Sequence, residues 1–283
     1  MMKTVLRRGV LPVTTATLLA MVAPSFAQSA VENLRPHRAV YDLNLKEASD
    51  RSGITGMAGR IVYEFTGSAC DGFSTRFRFL TQVRAGSKNF TNDQRTTAFE
   101  SGDLSSYNFV QQSFLNGQME KELRGQAERK RGGVEVKLAK PAMDPVEIKD
   151  AMFMTEHLAG IINTAKDGQT IFQADVYDGS DDGLTILQTT AIVGTQRDEK
   201  TGIEGEDQDI NKEFRGEAGW PVSVSYFASG DAVGEGEKLP LYQVSFFLHE
   251  SGVTRDLTMR YDDYTLKGDL KEIEYLPKGE CQG

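Results

Sequence analysis

The side chains able to do chemistry are few in this chain, and their spacing sorts them. Carboxylates cluster at Asp175, Asp178, Asp181 and Asp182, with Gly179, Ser180 and Gly183 among them. Asp178, Ser180, Asp182 and Gly183 fall at positions one, three, five and six of an EF-hand loop, which would present oxygens and a glycine to calcium. Position twelve, however, is Thr189 rather than glutamate, and the flanks alternate like strands. The segment therefore reads as an acidic hairpin turn, where Asp and Gly tolerate the dihedrals that a chain reversal needs.

His37, His157 and His249 are scattered. His157 follows Glu156 on a helical stretch, where an imidazole can act as a general base. No G-x-S-x-G, no H-E-x-x-H and no partner nucleophile accompanies it, so the expected role is structural and no catalytic residue is assigned. Without C-x-x-C spacing or gathered histidines, no metal or cofactor is expected. Two further uses of the carboxylates stay open at this point. One is a hydrolase of envelope polymers working through Glu156 or Asp178 to Asp182, and the other is an interaction scaffold that offers sheet edges or an acidic surface.

The ends of the chain bound where it works. Lys3, Arg7 and Arg8 precede an apolar run from Val10 to Ala23, then Pro24-Ser25-Phe26-Ala27. Positive charge, apolar core and a small-x-small site in that order make a secretory signal, with cleavage expected after Ala27. The run is interrupted by Pro12 and is too short for a spanning helix, which needs roughly 20 apolar residues. No later stretch replaces it, so no transmembrane segment is expected and the location is the periplasm. Loss of residues 1–27 removes three basic residues and no acid, taking the formal net charge from −9 to −12. A field of that sign repels phosphate groups, so nucleic acid and anionic lipid head groups are poor partners and no nucleic acid is expected.

Only two cysteines occur, Cys70 and Cys281. In an oxidising compartment a lone pair is most simply one disulfide. It would close about 210 residues and stabilise by roughly 5 kcal/mol in the chain-entropy model.

The elements that must position these residues are mostly strands. Ala39, Tyr41, Leu43 and Leu45 alternate with Val40, Asp42 and Asn44, the period of a half-buried strand from Pro36 to Leu45. Similar runs follow at 58–66, 73–83, 95–100, 106–114, 119–129 and 134–138, broken by Asp71-Gly72, Gly102-Asp103, Asn116-Gly117 and Gly132-Gly133, which is hairpin chemistry. The charge-dense run from Met119 reads as a solvated strand face. After Pro145 the period changes. Leu158, Ile161, Ile162 and Ala165 mark one face of a helix, with Thr155 as N-cap and Gly168 beyond its end.

Strands resume at 170–177 and 184–193, an acidic exposed loop spans Arg197 to Asp209, and strands return at 220–227, 239–249, 254–261 and 266–276. About a dozen strands with one central helix imply a single antiparallel sheet that curls to hide its edges, in one domain from residue 28 to 283. Its late aromatics Trp220, Tyr226, Phe227, Tyr242, Phe246 and Phe247 are either core or the lining of an apolar pocket. Around Phe246-Phe247 the strand is apolar on both faces.

Several segments resemble the EipB family of periplasmic cell-envelope integrity proteins: HRAVYDLNL (37–45), GSACDGF (67–73), TEHL (155–158), VYDGSDDG (176–183), WPVSVSYF (220–227) and the long block 242–281. Met154 stands where the family pattern leads us to expect proline, and Phe73 where it leads us to expect tryptophan. The resemblance implies a spiral-like open β barrel with a helix near its middle, similar to periplasmic lipoprotein carriers. It also maps the family's cysteine pair onto Cys70 and Cys281, and implies a role in envelope integrity with no catalytic residues. The expected function is then to hold a lipid, a lipoprotein or a periplasmic protein partner in or on the curved sheet.

Overall fold

The computed structural model describes residues 31–198, 203, 206–229 and 238–279. The expected signal, residues 1–27, and Cys281 lie outside the described residues. Eight strands come first: β1 (His37–Ala48), β2 (Ile54–Ser68), β3 (Gly72–Ala85), β4 (Lys88–Glu100), β5 (Ser106–Leu115), β6 (Gln118–Lys130), β7 (Gly133–Lys140) and β8 (Val146–Lys149). Helix α1 (Met154–Lys166) follows, then β9 (Ile171–Val176), β10 (Leu187–Val193), β11 (Arg197–Asp198) and the short helix α2 (Gln208–Glu213). β12 (Ala218–Ala228), β13 (Tyr242–His249), β14 (Thr254–Tyr261) and β15 (Tyr264–Tyr275) complete the chain.

All of these strands belong to one antiparallel sheet of order β8-β7-β6-β5-β4-β3-β2-β1-β15-β14-β13-β12-β10-β9, with β11 beside β12. The last strand returns to the first, so a front wall (β1–β8) and a back wall (β9–β15) meet along β1–β15. The sheet does not close: β8 and β9 are its edges. A single parallel bridge, Met152 to Val176, and the ion pair Lys149–Asp175 at 2.5 Å span the seam between them.

Register gives the sheet an apolar inner face, because side chains alternate across a strand. Ala39, Tyr41 and Leu43 of β1 sit opposite Tyr63, Ile61 and Gly59 of β2, which sit opposite Phe77, Phe79 and Thr81 of β3. On the other side of β1, Tyr41 faces Leu270 and Leu43 faces Gly268. The outer face of the same strands carries charge, paired across strands as Arg60–Asp42 at 2.7 Å, Arg76–Glu64 at 2.9 Å and Arg78–Asp93 at 2.8 Å.

The helix lies among inner-face residues of both walls. Ala159, Ile161, Ile162 and Ala165 cluster with Phe65 and Phe73 from the front wall and with Val193, Trp220, Val222 and Leu248 from the back wall. Gly160 lets it approach β9 closely, since a Cβ there would fall 2.4 Å from the Phe172 ring.

Three expectations are corrected. Thr155 is not the N-cap: the helix begins at Met154 behind Phe153, whose side chain makes no capping bond. The short strands β8 and β11, for which no alternating run was long enough to register, lift the strand number from about a dozen to fifteen. The stretch from Arg197 to Asp209 is not wholly an exposed loop. Within it Glu206 is buried, and α2 follows, sending Ile210 and Phe214 into a core shared by β1–β3 and β14–β15.

Glu206 meets Arg255, and neither side chain has any exposed surface. The guanidinium donates to Glu206 Oε2 through Nε at 2.8 Å and to Asn211 Oδ1 at 2.5 Å, and lies over the Phe214 ring. A pair without water holds only while both partners are present. Arg255→Leu is expected to cost about 3–5 kcal/mol by leaving a buried carboxylate, and Glu206→Leu/Arg255→Leu together to recover most of that in urea denaturation. Equal losses in the single and double variants would sink the pairing argument.

Candidate functional site

The three histidines and Glu156 take definite places. His37 Nδ1 lies 2.7 Å from the Arg35 carbonyl oxygen, and its ring lies among Tyr63 and Phe65. His249 stacks on Phe214 at 4.6 Å, and burial lowers its pKa to about 3. His157 Nε2 bonds Thr189 Oγ1 at 3.0 Å, and Thr189 Oγ1 in turn donates to the Ala174 carbonyl at 2.9 Å. Burial drives the His157 pKa down to about 4. Glu156 accepts from Arg129 Nη2 at 2.7 Å. Of these, the His157 and Glu156 contacts tie the helix to β10 and β6.

The acidic turn is the connection between β9 and β10, and its carboxylates organise their own loop. Asp178 Oδ1 accepts from the Ser180 amide at 2.8 Å, and Asp182 Oδ1 from the amides of Leu184 and Thr185 at 2.8 and 2.9 Å. Among the described residues no group of three or more His, Cys, Asp or Glu is placed to hold a metal ion. The turn reaches across to the front wall. Tyr107 Oη and Gln111 Nε2 of β5 both donate to the Asp178 carbonyl, at 3.1 and 2.8 Å, and Tyr177 is buried with Tyr107, Phe109 and Phe153.

A buried carboxylate that the sequence did not single out holds the helix start. Glu100, at the end of β4, accepts from the Thr155 amide at 2.9 Å and from Thr155 Oγ1 at 2.6 Å. It does from a distant strand what an N-cap side chain does locally, satisfying a first-turn amide and meeting the positive end of the helix dipole. Its signal in the sequence was an acid in phase with inward Ala98, opposite Tyr107.

The six candidate pocket aromatics divide. Trp220 and Phe246 pack against the helix cluster. Phe227 and Phe247 are out of phase with inward Tyr226 and Trp220 and belong to the opposite face. Tyr226 and Tyr242 remain, stacked at 4.4 Å, and two tyrosines not singled out extend them: Tyr242 to Tyr261 at 5.9 Å and Tyr261 to Tyr264 at 4.7 Å. The row crosses β12, β13, β14 and the start of β15 on the inner face, and every member is half-buried. Burial raises all four phenol pKa values. The signal for the two additional rings was register, which places Tyr261 directly opposite Tyr242.

A curled, unclosed antiparallel sheet around one principal helix defines the class as β-barrel-like. The chain belongs to the EipB-like family, whose pattern matches residues 28–277. It is 36% identical over 267 residues to the cell envelope integrity protein EipB of Brucella abortus (strain 2308), covering 94% of this chain and 93% of that protein. The crystal structure of a beta-barrel-like protein of a domain of unknown function from Brucella abortus superposes with a TM-score of 0.78 at 37% identity, covering 86% of this chain and 99% of the other. Both family departures fit their places. Met154 occupies the first helical position, where proline is also tolerated, and Phe73 stacks on Phe65 at 5.5 Å.

Glu100 carries a pH signature. Burial raises its pKa from 4.5 to about 7 against the pull of the Thr155 bonds. The folded state therefore binds this proton more tightly than the unfolded chain, so its contribution is full below pH 4.5 and is lost as pH rises through about 7. The stability of the wild type relative to Glu100→Gln is expected to fall by on the order of 3 kcal/mol between pH 4.5 and 8. Urea titrations across that range test it, and a flat difference would overturn the assignment. His157 has the opposite sign, its share being full above 6.5 and lost as pH falls through about 4. The subtraction removes it.

Proposed function

We propose that the chain is an exported periplasmic protein that supports cell-envelope integrity by binding an apolar ligand along the inner tyrosine row, and that it works by binding rather than by catalysis. The ligand class is a lipid or the acyl part of a lipoprotein. The observation that carries this reading is the row itself. Four half-buried rings line one inner wall, and among the described residues none of their hydroxyls makes a hydrogen bond. A core tyrosine ordinarily finds such a partner. Rings with an apolar body and a free polar tip suit a ligand that is apolar along its length and polar at one end. The envelope role is supported by the Brucella relative, which carries it in its name.

Residues 1–27 act in this reading as a cleaved export signal, and residues 28–283 as one β-spiral domain. Cys70 and Cys281 form its disulfide. Two observations support the bond: no described cysteine is free, and the tail passes the Cys70 turn, with Gly279 so near Asp71 that a Cβ would fall 2.3 Å from Oδ2. A protein partner is the second reading, favoured by Leu239 and Leu241, which are 78% and 51% exposed just before β13.

Native mass spectrometry with lipid extraction of protein purified from its own periplasm tests the binding. A lipid or acyl species is expected to co-purify and to drop at least tenfold in Tyr242→Ser/Tyr261→Ser, with detergent sensitivity returning in cells carrying that variant. An empty protein whose deletion leaves detergent sensitivity unchanged would end the proposal, and a single dominant crosslinked protein without lipid would replace it by the second reading. For the disulfide, no free thiol is expected in unreduced protein, and reduction is expected to lower the Tm by several degrees or more. Two free thiols would refute the bond.

A further inference from the structure

The outer face changes character from one wall to the other. Along β1–β4 it carries cross-strand ion pairs, whereas one stretch of β9, β10, β12 and β13 carries a run of neutral amides and hydroxyls. Gln173, Thr190, Ser225 and Gln243 stand opposite one another in a single cross-strand row. Gln173 Nε2 donates to Thr190 Oγ1 at 3.1 Å, Gln243 Nε2 donates to Ser225 Oγ at 3.2 Å, and the Ser223 and Ser245 hydroxyls bond at 2.9 Å in the next row but one.

Beside this row, Asp175 of β9, Gln188 of β10 and Phe227 of β12 stand in line. Together with Gln173, Thr190 and Lys238 they line a groove of about 490 Å³. That volume is within the range of small-ligand sites, roughly 300–1,000 Å³. Lys238 Nζ donates to Gln188 Oε1 at 2.8 Å, fixing which end of that amide faces away. Among the described residues the Gln188 amide N–H groups and the Gln173 carbonyl oxygen have no partner, so one donor pair and one acceptor remain for a ligand.

We propose that this groove binds a neutral polyhydroxylated chain, a glycan. The chemistry argues for that class on three counts. Each sugar hydroxyl both donates and accepts, which matches amides and hydroxyls that do the same. The C–H faces of a sugar ring need an apolar plate, and Phe227 supplies a half-buried aromatic at the β12 side of the polar lining. The one acid of the lining, Asp175, is already paired to Lys149, and its one base, Lys238, is engaged with Gln188, so neither sign is offered unpaired to an ionic ligand. The site lies on the face opposite the tyrosine row and does not depend on it.

Isothermal titration of the full mature chain with chitotetraose and with cellotetraose tests this, alongside amide chemical-shift mapping. Saturable binding of at least one oligosaccharide is expected, with shifts concentrated on β9, β10 and β12. Phe227→Ala is expected to weaken it at least tenfold and Gln188→Glu severalfold, the second variant being a surface change that leaves packing intact. Tyr242→Ser is expected to leave it unchanged, which separates this site from the inner one. No saturable binding of either sugar would overturn the proposal. So would binding that Gln188→Glu and Phe227→Ala leave intact, or binding that Tyr242→Ser abolishes.

Discussion

The first turn of α1 is the point on which the two walls depend. The helix belongs by sequence to the back wall, running directly into β9 and packing on it through Gly160 and Phe172. The Thr155 amide and hydroxyl in its first turn, however, are taken by Glu100 at the end of β4, in the middle of the front wall. Orphan amides at a buried helix start must find an acceptor, because an unmade bond there costs the full desolvation of the group. Supplying that acceptor from β4 ties the helix to the front wall as well as to β9. Were the sheet flatter, Glu100 would lose Thr155, and the inner faces of β2–β3 and β12–β13 could not both reach the same helix.

The same geometry explains which parts of the molecule were legible in the sequence. Strands with strict alternation and Gly or Asn reversals, such as β1 to β7, announce themselves, because the period and the turn chemistry are local. The helix was legible from Ile161, Ile162 and Ala165. Its cap was not, since the carboxylate that performs the role lies 55 residues earlier and only the fold brings it to Thr155. Glu206 was hidden for the same reason: in a charged stretch nothing local distinguishes the one acid that pairs with Arg255. The aromatic candidates were half legible. Alternation separates Tyr226 from Phe227, but only the pairing of β13 with β14 shows that Tyr261 continues the row.

The inner surface is not uniform, and its variation follows from how the helix fills it. Where α1 lies, the inward residues Phe65, Phe73, Trp220 and Leu248 are buried against it. Away from the helix, the tyrosines at the other ends of β12 and β13 stay half-buried, and so do Phe77 and Phe90 across the front wall. The 13-residue helix covers only part of the inner face, and these half-buried rings stand on the rest of it. Rings with a polar tip are the residues that can line the remainder without the penalty that exposed aliphatic side chains would incur.

The open seam has its own energetics. Sheet edges left bare invite pairing with other chains, and proteins blunt them with charge, short strands or cover. Here β8 is four residues long and carries Glu147 and Lys149, and β9 is covered by α1 and by the Met152 bridge. Among the described residues the edges themselves are joined across the seam by the Met152 bridge, the Lys149–Asp175 ion pair and the turn from Tyr177 to Asp182, not by a ladder. Each of those contacts is worth a small fraction of a strand pairing, while the β1–β15 junction is a ladder of eleven paired positions with two register shifts. Any widening of the curl must therefore begin at the seam and swing about β1 and β15. Such a motion would have to break the bonds of Tyr107 and Gln111 to the turn and, because α1 is held at Glu100 as well as on β9, the Thr155 contacts with them.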